Sequence, residues 1–155
     1  MIIDQKANIP APVDRVWAFV TDIPAVSRCV PGVEEFERID DDTYGGALKV
    51  RVGPIGVRLL GQIVVAERDH ENLSSRLDIS AKEKRINSTV SAKTTLSVVA
   101  ISDAETELRI HTEASILGKL GEFGQAVMRR KADQMVAEFA RNATKEITAT
   151  GGSPT

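Results

Sequence analysis

The stretch Ile9-Pro10-Ala11-Pro12-Val13-Asp14-Arg15-Val16-Trp17, followed by Asp22-Ile23-Pro24 and Cys29-Val30-Pro31-Gly32, decides how the chain begins to fold. Pro12 suits the first position of a helix, because no amide partner is lost there, and Asp14 lies near the positive end of that helix. Asp22 can cap a second short helix, which the Pro31-Gly32 pair ends. One face of the first helix is apolar, with Val13, Val16, Trp17 and Val20 at helical spacing. We therefore predict a strand that leads into two short helices.

After Gly32 the hydrophobic period changes to two, which is typical of half-buried strands in an antiparallel sheet. Short turns separate the segments, among them the polar Asp40-Asp41-Asp42 and the glycine-rich Gly53-Pro54-Ile55-Gly56. Together with the strand before Ile9, the pattern predicts seven strands. The last six are predicted at residues 33–39, 44–52, 57–65, 73–79, 86–98 and 108–110.

Between residues 120 and 147 the hydrophobic period becomes helical, with one broad apolar side. A helix of this length spans about 42 Å, more than the roughly 29 Å across seven strands. We therefore predict an α+β fold in which a curved antiparallel sheet wraps on a long C-terminal helix, with residues 1–147 forming one domain. Residues 148–155 show no periodicity, and we predict a disordered tail there.

A strongly twisted sheet and a single helix do not close completely on each other, so a gap is expected between them. Several inward positions carry small side chains, which leave volume for a ligand: Gly46, Gly61, Ala81, Ser88, Ala92 and Ala114. The alternative is that the strands approach the helix more closely and fill this space.

Composition excludes several functional classes. The 155 residues include 20 basic and 22 acidic ones, a formal charge of -2, so a nucleic-acid-binding surface is not expected. No apolar run approaches the roughly 18 residues of a spanning helix, and the opening residues lack the apolar run of a signal peptide. We expect a cytoplasmic protein whose membrane contact, if any, is peripheral and at the inner face.

The chain shows no catalytic or metal-binding pattern. Cys29 is the only cysteine and has no evident base, so it is predicted to be a small buried packing residue. His70 and His111 are placed in a turn and on the outer face of a strand, and they form no metal-ligand spacing. Arg129-Arg130-Lys131 is interpreted as a solvated helix face, with docking to an acidic partner or an anionic lipid as the alternative.

Two short motifs, taken together and in this order, carry a family resemblance: Cys29-Val30-Pro31-Gly32 and Val50-Arg51-Val52-Gly53-Pro54. They are accompanied by Pro12 to Trp17, Asp22, Gly61, Thr106 to Leu108, Gly118-Lys119-Leu120 and Gly124. On these residues the chain is similar to the family of the carbon monoxide dehydrogenase G subunit over about residues 2–143. The order of elements resembles the helix-grip fold of the START, or SRPBCC, superfamily.

The resemblance implies an accessory or carrier protein for a molybdenum-containing dehydrogenase of the carbon monoxide dehydrogenase type. Such a protein would couple the enzyme to the membrane and hold a hydrophobic small molecule, a lipid or a quinone, between sheet and helix. We expect no catalytic activity and no cofactor other than such a bound quinone or lipid. Two alternatives stay open: an enzyme like the polyketide cyclases and aromatases of the same fold, and a ligand-free protein-binding adaptor.

Two sets of residues are predicted to form the ligand site. The cavity is predicted to be lined by Trp17, Leu48, Val50, Leu59, Ile63, Leu77, Val90, Leu120, Phe123, Val127, Met128 and Met135. Its mouth is predicted at Pro31, Gly32, Gly118, Gly121 and Gly124. Core packing is the alternative role for Trp17 and the methionines. The three later glycines would form either a loosened gate or a site of close backbone approach.

Overall fold

The computed structural model describes residues 1–151. The sheet is built from β1 (Ile2–Ile9), β2 (Val33–Arg38), β3 (Thr43–Val52), β4 (Ile55–Asp69), β5 (Ser74–Glu83), β6 (Ser88–Ser102) and β7 (Glu105–Leu117). The helices are α1 (Val13–Val20), α2 (Ile23–Cys29) and α3 (Gly124–Gly151). Two short 3₁₀ turns, Lys84–Ile86 and Lys119–Phe123, join β5 to β6 and β7 to α3.

The seven strands form one antiparallel sheet in the order β1-β7-β6-β5-β4-β3-β2. Strands β2 to β7 follow one another as hairpins, and β1 adds to the free edge of β7. The predicted fold is therefore confirmed: a seven-stranded antiparallel sheet with two short helices after β1 and a long C-terminal helix. Because the hairpins alternate direction, the β2–β3, β4–β5 and β6–β7 turns share one end of the sheet, and the β3–β4, β5–β6 and β7–α3 connections share the other.

The opening segment folds much as its caps predict. The Asp22 side chain accepts a hydrogen bond from the Ala25 amide at 3.2 Å, and α2 ends at Cys29 ahead of the Pro31-Gly32 turn. Pro12 has extended backbone angles and lies just before α1, so it is the capping residue rather than the first helical residue. The predicted position was wrong by one residue, because the carbonyl of Pro12 already accepts the Val16 amide.

Several element boundaries differ from the sequence prediction. Helix α3 begins at Gly124 rather than Leu120, because Gly118 and Gly124 have φ of 82° and 80°, which interrupts a continuous helix. It ends at Gly151, so residues 148–151 belong to the helix and the remainder of the predicted tail lies outside the described residues. β6 begins at Ser88, since Asn87 adopts a left-handed conformation, and β7 extends well beyond 108–110.

The hydrophobic core is divided into three clusters. The first joins α1, α2 and the end of α3 to β6 and β7, around Val16, Trp17, Leu108 and Ile147. The second lies where Ile23 of α2 meets Tyr44, Val65 and Leu77 of the central sheet. The third lies where Val52, Val57 and Leu120 pack near the start of α3. The first and third clusters therefore lie near the two ends of α3, and the second lies on the central strands.

Candidate ligand site between the sheet and the long helix

We use the word gap for the space between the concave face of the sheet and the facing side of α3. Within the described residues, Leu48, Val90 and Met135 belong to none of the three buried clusters, and each is half-buried. Facing side chains in a packed interior are normally buried, so partial exposure indicates open space between them. Helix α3 lies close to β1 at one edge of the sheet and near β3 toward the other, and the central strands stand farther from it.

Six of the predicted lining residues pack against core clusters, Ile63 against the second and Val50, Leu59, Phe123, Val127 and Met128 against the third, so the contact of the lining residues with a ligand stays a prediction. The half-buried lining residues are Leu48, Val50, Leu59, Ile63, Val90, Phe123, Val127, Met128 and Met135. The others, Trp17, Leu77 and Leu120, are buried, one in each of the three clusters. These three therefore have the surroundings of packed core residues.

A cleft of about 170 Å³ opens at the β3 edge of the gap. Pro31 and Gly32, two of the residues predicted at the mouth, form one wall, and Val50 and Met135 are its apolar lining residues. Polar lining comes from Lys49, Arg51, Lys131, Gln134 and Glu138. Gly32 has φ of 91°, and a β-carbon there would collide with the Lys49 carbonyl oxygen, so this wall requires glycine.

A larger groove, of about 430 Å³, lies outside this site. Strand alternation places Glu35 and Glu37 of β2 and Leu60 and Gln62 of β4 on the outer face, on either side of Gly45. The groove is open and shallow over a glycine floor. It does not connect the sheet to α3, so it is not the site that the fold predicts.

The glycines on the other side of the predicted mouth differ among themselves. A β-carbon on Gly118 would collide with the Asn87 carbonyl oxygen, and one on Gly121 would lie 2.6 Å from the Ile116 carbonyl oxygen. Gly124 has no atom within 4 Å of such a β-carbon, but its positive φ favours glycine. Close backbone approach therefore accounts for Gly118 and Gly121, and a gate at this point stays a hypothesis.

The predicted small residues share the concave face. Gly46 pairs with Gly61, which pairs with Ala81, and Ala92 pairs with Ala114 on neighbouring strands. A β-carbon on Gly46 or Gly61 would collide with a carbonyl oxygen of the adjacent strand, so these glycines serve strand packing. Ser88 is buried, and its hydroxyl accepts the Leu120 amide at 3.0 Å.

Sequence reasoning missed several inward residues. Ile79 pairs with Ile63, Ile116 pairs with Val90, and Leu96 pairs with Ile110, so alternation places all of them on the concave side. Thr94 and Thr112 also face inward, and their hydroxyl oxygens lie 3.1 Å apart in a hydrogen bond. The period-two pattern through Ala92, Thr94 and Leu96 was the signal that could have found them.

One end of the gap is closed by polar contacts between α1, α2 and α3. Arg28 donates to Glu146 at 2.6 Å, and the Asn142 side chain donates to the Cys29 carbonyl oxygen at 3.0 Å. Arg15 donates to the Ile147 carbonyl oxygen at 2.8 Å. The Cys29 thiol is buried beside Glu146, and burial raises the pKa of this thiol to about 11. It is therefore a protonated packing group at neutral pH, as predicted.

At the opposite end, the buried carboxylate of Glu83 lies at the last residue of the central strand β5. Glu83 is 4% exposed, and it accepts the Arg58 amide at 2.6 Å and the Arg85 amide at 3.2 Å. Arg85 also donates its guanidinium to the same carboxylate. Hydrogen bonding to Arg85, then to the Arg58 amide, lowers the pKa of Glu83 to about 2. The carboxylate is therefore a fixed acceptor, which the sequence analysis did not identify.

Glu67, Asp78 and Glu113 are solitary carboxylates on the strands, and none of them forms an acid–base pair facing the gap. Asp78 lies between the inward Leu77 and Ile79, and Glu113 alternates with the inward Thr112, so both point to the outer face. Glu67 is exposed and lies 3.7 Å from Arg76. Across residues 1–151, no group of three or more His, Cys, Asp or Glu side chains is arranged to hold a metal ion.

The order of elements, the gap and the glycine-lined cleft can be compared with known proteins. A family model described as the G subunit of carbon monoxide dehydrogenase (CoxG) matches residues 6–148. The chain belongs to the CoxG family. No curated protein matches the sequence. The family and its fold indicate an accessory protein that binds a hydrophobic ligand.

Several solved structures have the same fold as this CoxG-family chain. A conserved protein from Geobacillus kaustophilus superposes with a TM-score of 0.87 at 21% identity, covering 97% of each chain. A START superfamily protein from Mycobacterium smegmatis gives 0.66 at 10% identity, covering 96% of this chain and 98% of its own. The Zhui aromatase/cyclase of a Streptomyces species gives 0.64 at 13% identity, with coverages of 95% and 93%. These similarities establish a START-type fold.

A helix that crosses a bilayer must be both long and apolar. Within the described residues, no helix meets both requirements.

Proposed function

We propose that this CoxG-family protein holds a hydrophobic small molecule, a lipid or a quinone, in the gap between its sheet and α3. In this role it acts as an accessory or carrier protein for a molybdenum enzyme of the carbon monoxide dehydrogenase type and couples that enzyme to the membrane. The supporting observation is that Leu48 and Val90 on the concave face and Met135 on α3 are apolar, only half-buried and outside the three buried clusters.

The gap suits an apolar guest by its composition. Its border is aliphatic or thioether, including Ile63, Ile79, Val90 and Met135, and covering such surface gains roughly 25 cal/mol per Å². Met128 and Met135 lie on the helix side, where flexible thioethers adapt to irregular guests. A lipid or quinone tail would therefore bind through burial rather than through directed bonds.

Polar groups at two places suit the other end of an amphiphile. The Thr94 and Thr112 hydroxyls interrupt the apolar concave face, and the two of them use only one donor proton in their mutual hydrogen bond. The edge cleft adds the Lys131 ammonium and the Gln134 amide. A guest with a carbonyl or another hydrogen-bond acceptor at one end matches this arrangement better than a pure hydrocarbon.

Native mass spectrometry of the purified protein, followed by organic extraction, tests the proposal. We expect a co-purified lipid or quinone that is released on denaturation. An empty, tightly packed protein that captures a partner would favour the adaptor instead. Turnover of an added polyketide would favour an enzyme instead. The Zhui aromatase/cyclase, which has a similar fold, is named for an enzymatic activity.

A further inference from the structure

Charge is separated between the two ends of the sheet, although the chain as a whole is nearly neutral. We define the basic pole as residues 51–55, 82–87 and 117–131, which form the β3–β4, β5–β6 and β7–α3 connections and the first turns of α3. Its exposed basic side chains are Arg51, Lys82, Lys84, Arg85, Lys119, Arg129 and Arg130. Its acidic residues are Glu83, which is buried and bonded to Arg85, and Glu122.

The opposite end carries the opposite charge. The β2–β3 turn holds Asp40, Asp41 and Asp42. The β4–β5 turn, which comes directly after Asp69, holds Glu71, and the β6–β7 turn holds Asp103. Arg38 and Arg68 are the basic side chains close to the first turn, and both pair with its aspartates. An anionic surface would therefore attract one end of the molecule and repel the other.

Three lysines of the basic pole are available for binding. Within residues 1–151, no carboxylate lies within 4.0 Å of the ammonium groups of Lys82, Lys84 or Lys119. Leu117, on the same end, is 64% exposed, and the turn at Gly53 and Pro54 is also exposed. Ile101 is 54% exposed at the other end, but it lies two residues from Asp103.

We propose that the basic pole is the face that docks on an anionic lipid bilayer, with its lysines over the headgroups and Leu117 and Pro54 entering the interface. This inference rests on the proposed ligand-binding function for its purpose. The β7–α3 glycines lie in this pole, and the edge cleft reaches it through Arg51. A hydrophobic guest would then pass between gap and bilayer without crossing bulk water. Exposed apolar groups beside the lysines favour a bilayer over an acidic protein as the anionic surface.

Vesicle sedimentation with the full chain tests this proposal. Binding is expected to phosphatidylcholine vesicles that contain phosphatidylglycerol, to weaken with added NaCl, and to be nearly absent from phosphatidylcholine alone. Each lysine near an anionic surface contributes about fivefold in affinity. The triple variant Lys82→Gln, Lys84→Gln, Lys119→Gln should therefore lose about a hundredfold.

A matched control removes the same charge elsewhere. The variant Lys6→Gln, Lys93→Gln, Lys145→Gln changes three exposed lysines outside the pole and should bind vesicles within about twofold of the unmodified protein. Leu117→Gln should remove the part of the binding that resists salt. An equal loss in both triple variants, or equal binding to both vesicle types, would overturn the proposal, as would binding to acidic proteins but not to vesicles.

Failure of this inference is distinguishable from failure of the proposed function. Ligand retention in native mass spectrometry should be the same in both triple variants and the unmodified protein. Ligand retained without vesicle binding rejects the docking face alone. Vesicle binding without any retained ligand rejects the proposed function and leaves the docking face supported.

Discussion

The indole Nε1 of Trp17 donates a hydrogen bond to Nδ1 of His70 at 3.0 Å, and the two rings meet edge to face at 85°. This contact joins α1 to the β4–β5 turn across 53 positions of sequence. It also requires a His70 tautomer whose Nδ1 carries no proton. His70, a turn residue that belongs to no catalytic pattern, therefore holds the first helix against the β4–β5 turn.

We expect His70→Ala to change the environment of Trp17. Removing the acceptor leaves a buried N–H without its partner, so the free energy of unfolding should fall by about 1 kcal/mol. Trp17 is the single tryptophan, and its fluorescence emission therefore reports this site alone. His111→Ala is the control, because His111 pairs with Asp4 on the exposed outer face. An unchanged emission spectrum in His70→Ala would contradict the role of this contact.

Met135→Trp is expected to block ligand binding in the gap. Met135 lies at the edge cleft beside Val50, and a bulkier ring would occupy volume that the guest needs. Because this ring overpacks the site, we expect the amount of retained ligand to fall by about tenfold or more. Extraction followed by mass spectrometry measures that amount. The thermal midpoint should change little, because the site is half-buried. Val127→Trp should act in the same way.

Ala137→Trp provides the matched control for Met135→Trp. Ala137 is exposed on the same helix, so the same new ring would point to solvent. Ligand retention should be unchanged in this variant. Equal retention in Met135→Trp and Ala137→Trp would reject a guest at this position.

Glu83→Gln should change both the stability and its dependence on pH. The folded protein holds the pKa of Glu83 near 2, against an ordinary value of 4.5, so ionised Glu83 stabilises the fold fully above pH 4.5. That contribution is lost as pH falls from 4.5 toward 2. The amide variant should lower the free energy of unfolding at pH 7 by about 1–3 kcal/mol.

Thermal denaturation across pH checks this prediction. The fall in midpoint of the unmodified protein below pH 4.5 should be smaller in Glu83→Gln. Glu122→Gln, which changes an exposed glutamate on the same end, should leave the profile nearly unchanged. If the thermal midpoint falls equally below pH 4.5 in Glu83→Gln and in the unmodified protein, this carboxylate is not the titrating group.

Gly118→Ala should destabilise the β7–α3 connection. Its φ of 82° is strained for alanine, and the new β-carbon would collide with the Asn87 carbonyl oxygen, so we expect a loss of about 2 kcal/mol or more. Gly56→Ala is the control, since no atom lies within 4 Å of its β-carbon position. Chemical denaturation measures the free energy of unfolding of both variants.

Hydrogen exchange over residues 118–124 tests directly whether this segment is a loosened gate. Strong protection of these amides without ligand would argue against a gate.

Much of the fold followed from local pattern. Alternation from Val50 to Val52, the polar turn at residues 40–42 and the cap at Asp22 each involve neighbours along the chain, so the sequence carries them visibly. The boundary at Gly124 was less visible, because a helical apolar period continues through the 3₁₀ turn before it. Trp17, Leu77 and Leu120 fit the inward pattern equally well, yet tertiary packing buries each of them in one of the three core clusters.

The sequence by itself determined the order of elements, the family and the apolar character of the two surfaces that face each other. Only the tertiary structure decided that Glu83 is buried, that Trp17 pairs with His70, and that charge is divided between two poles. The physical reason is that periodicity and capping act over a few residues. Burial and the summed electric field depend on contacts between residues far apart in the chain, which the alternating hairpins bring to one end or the other.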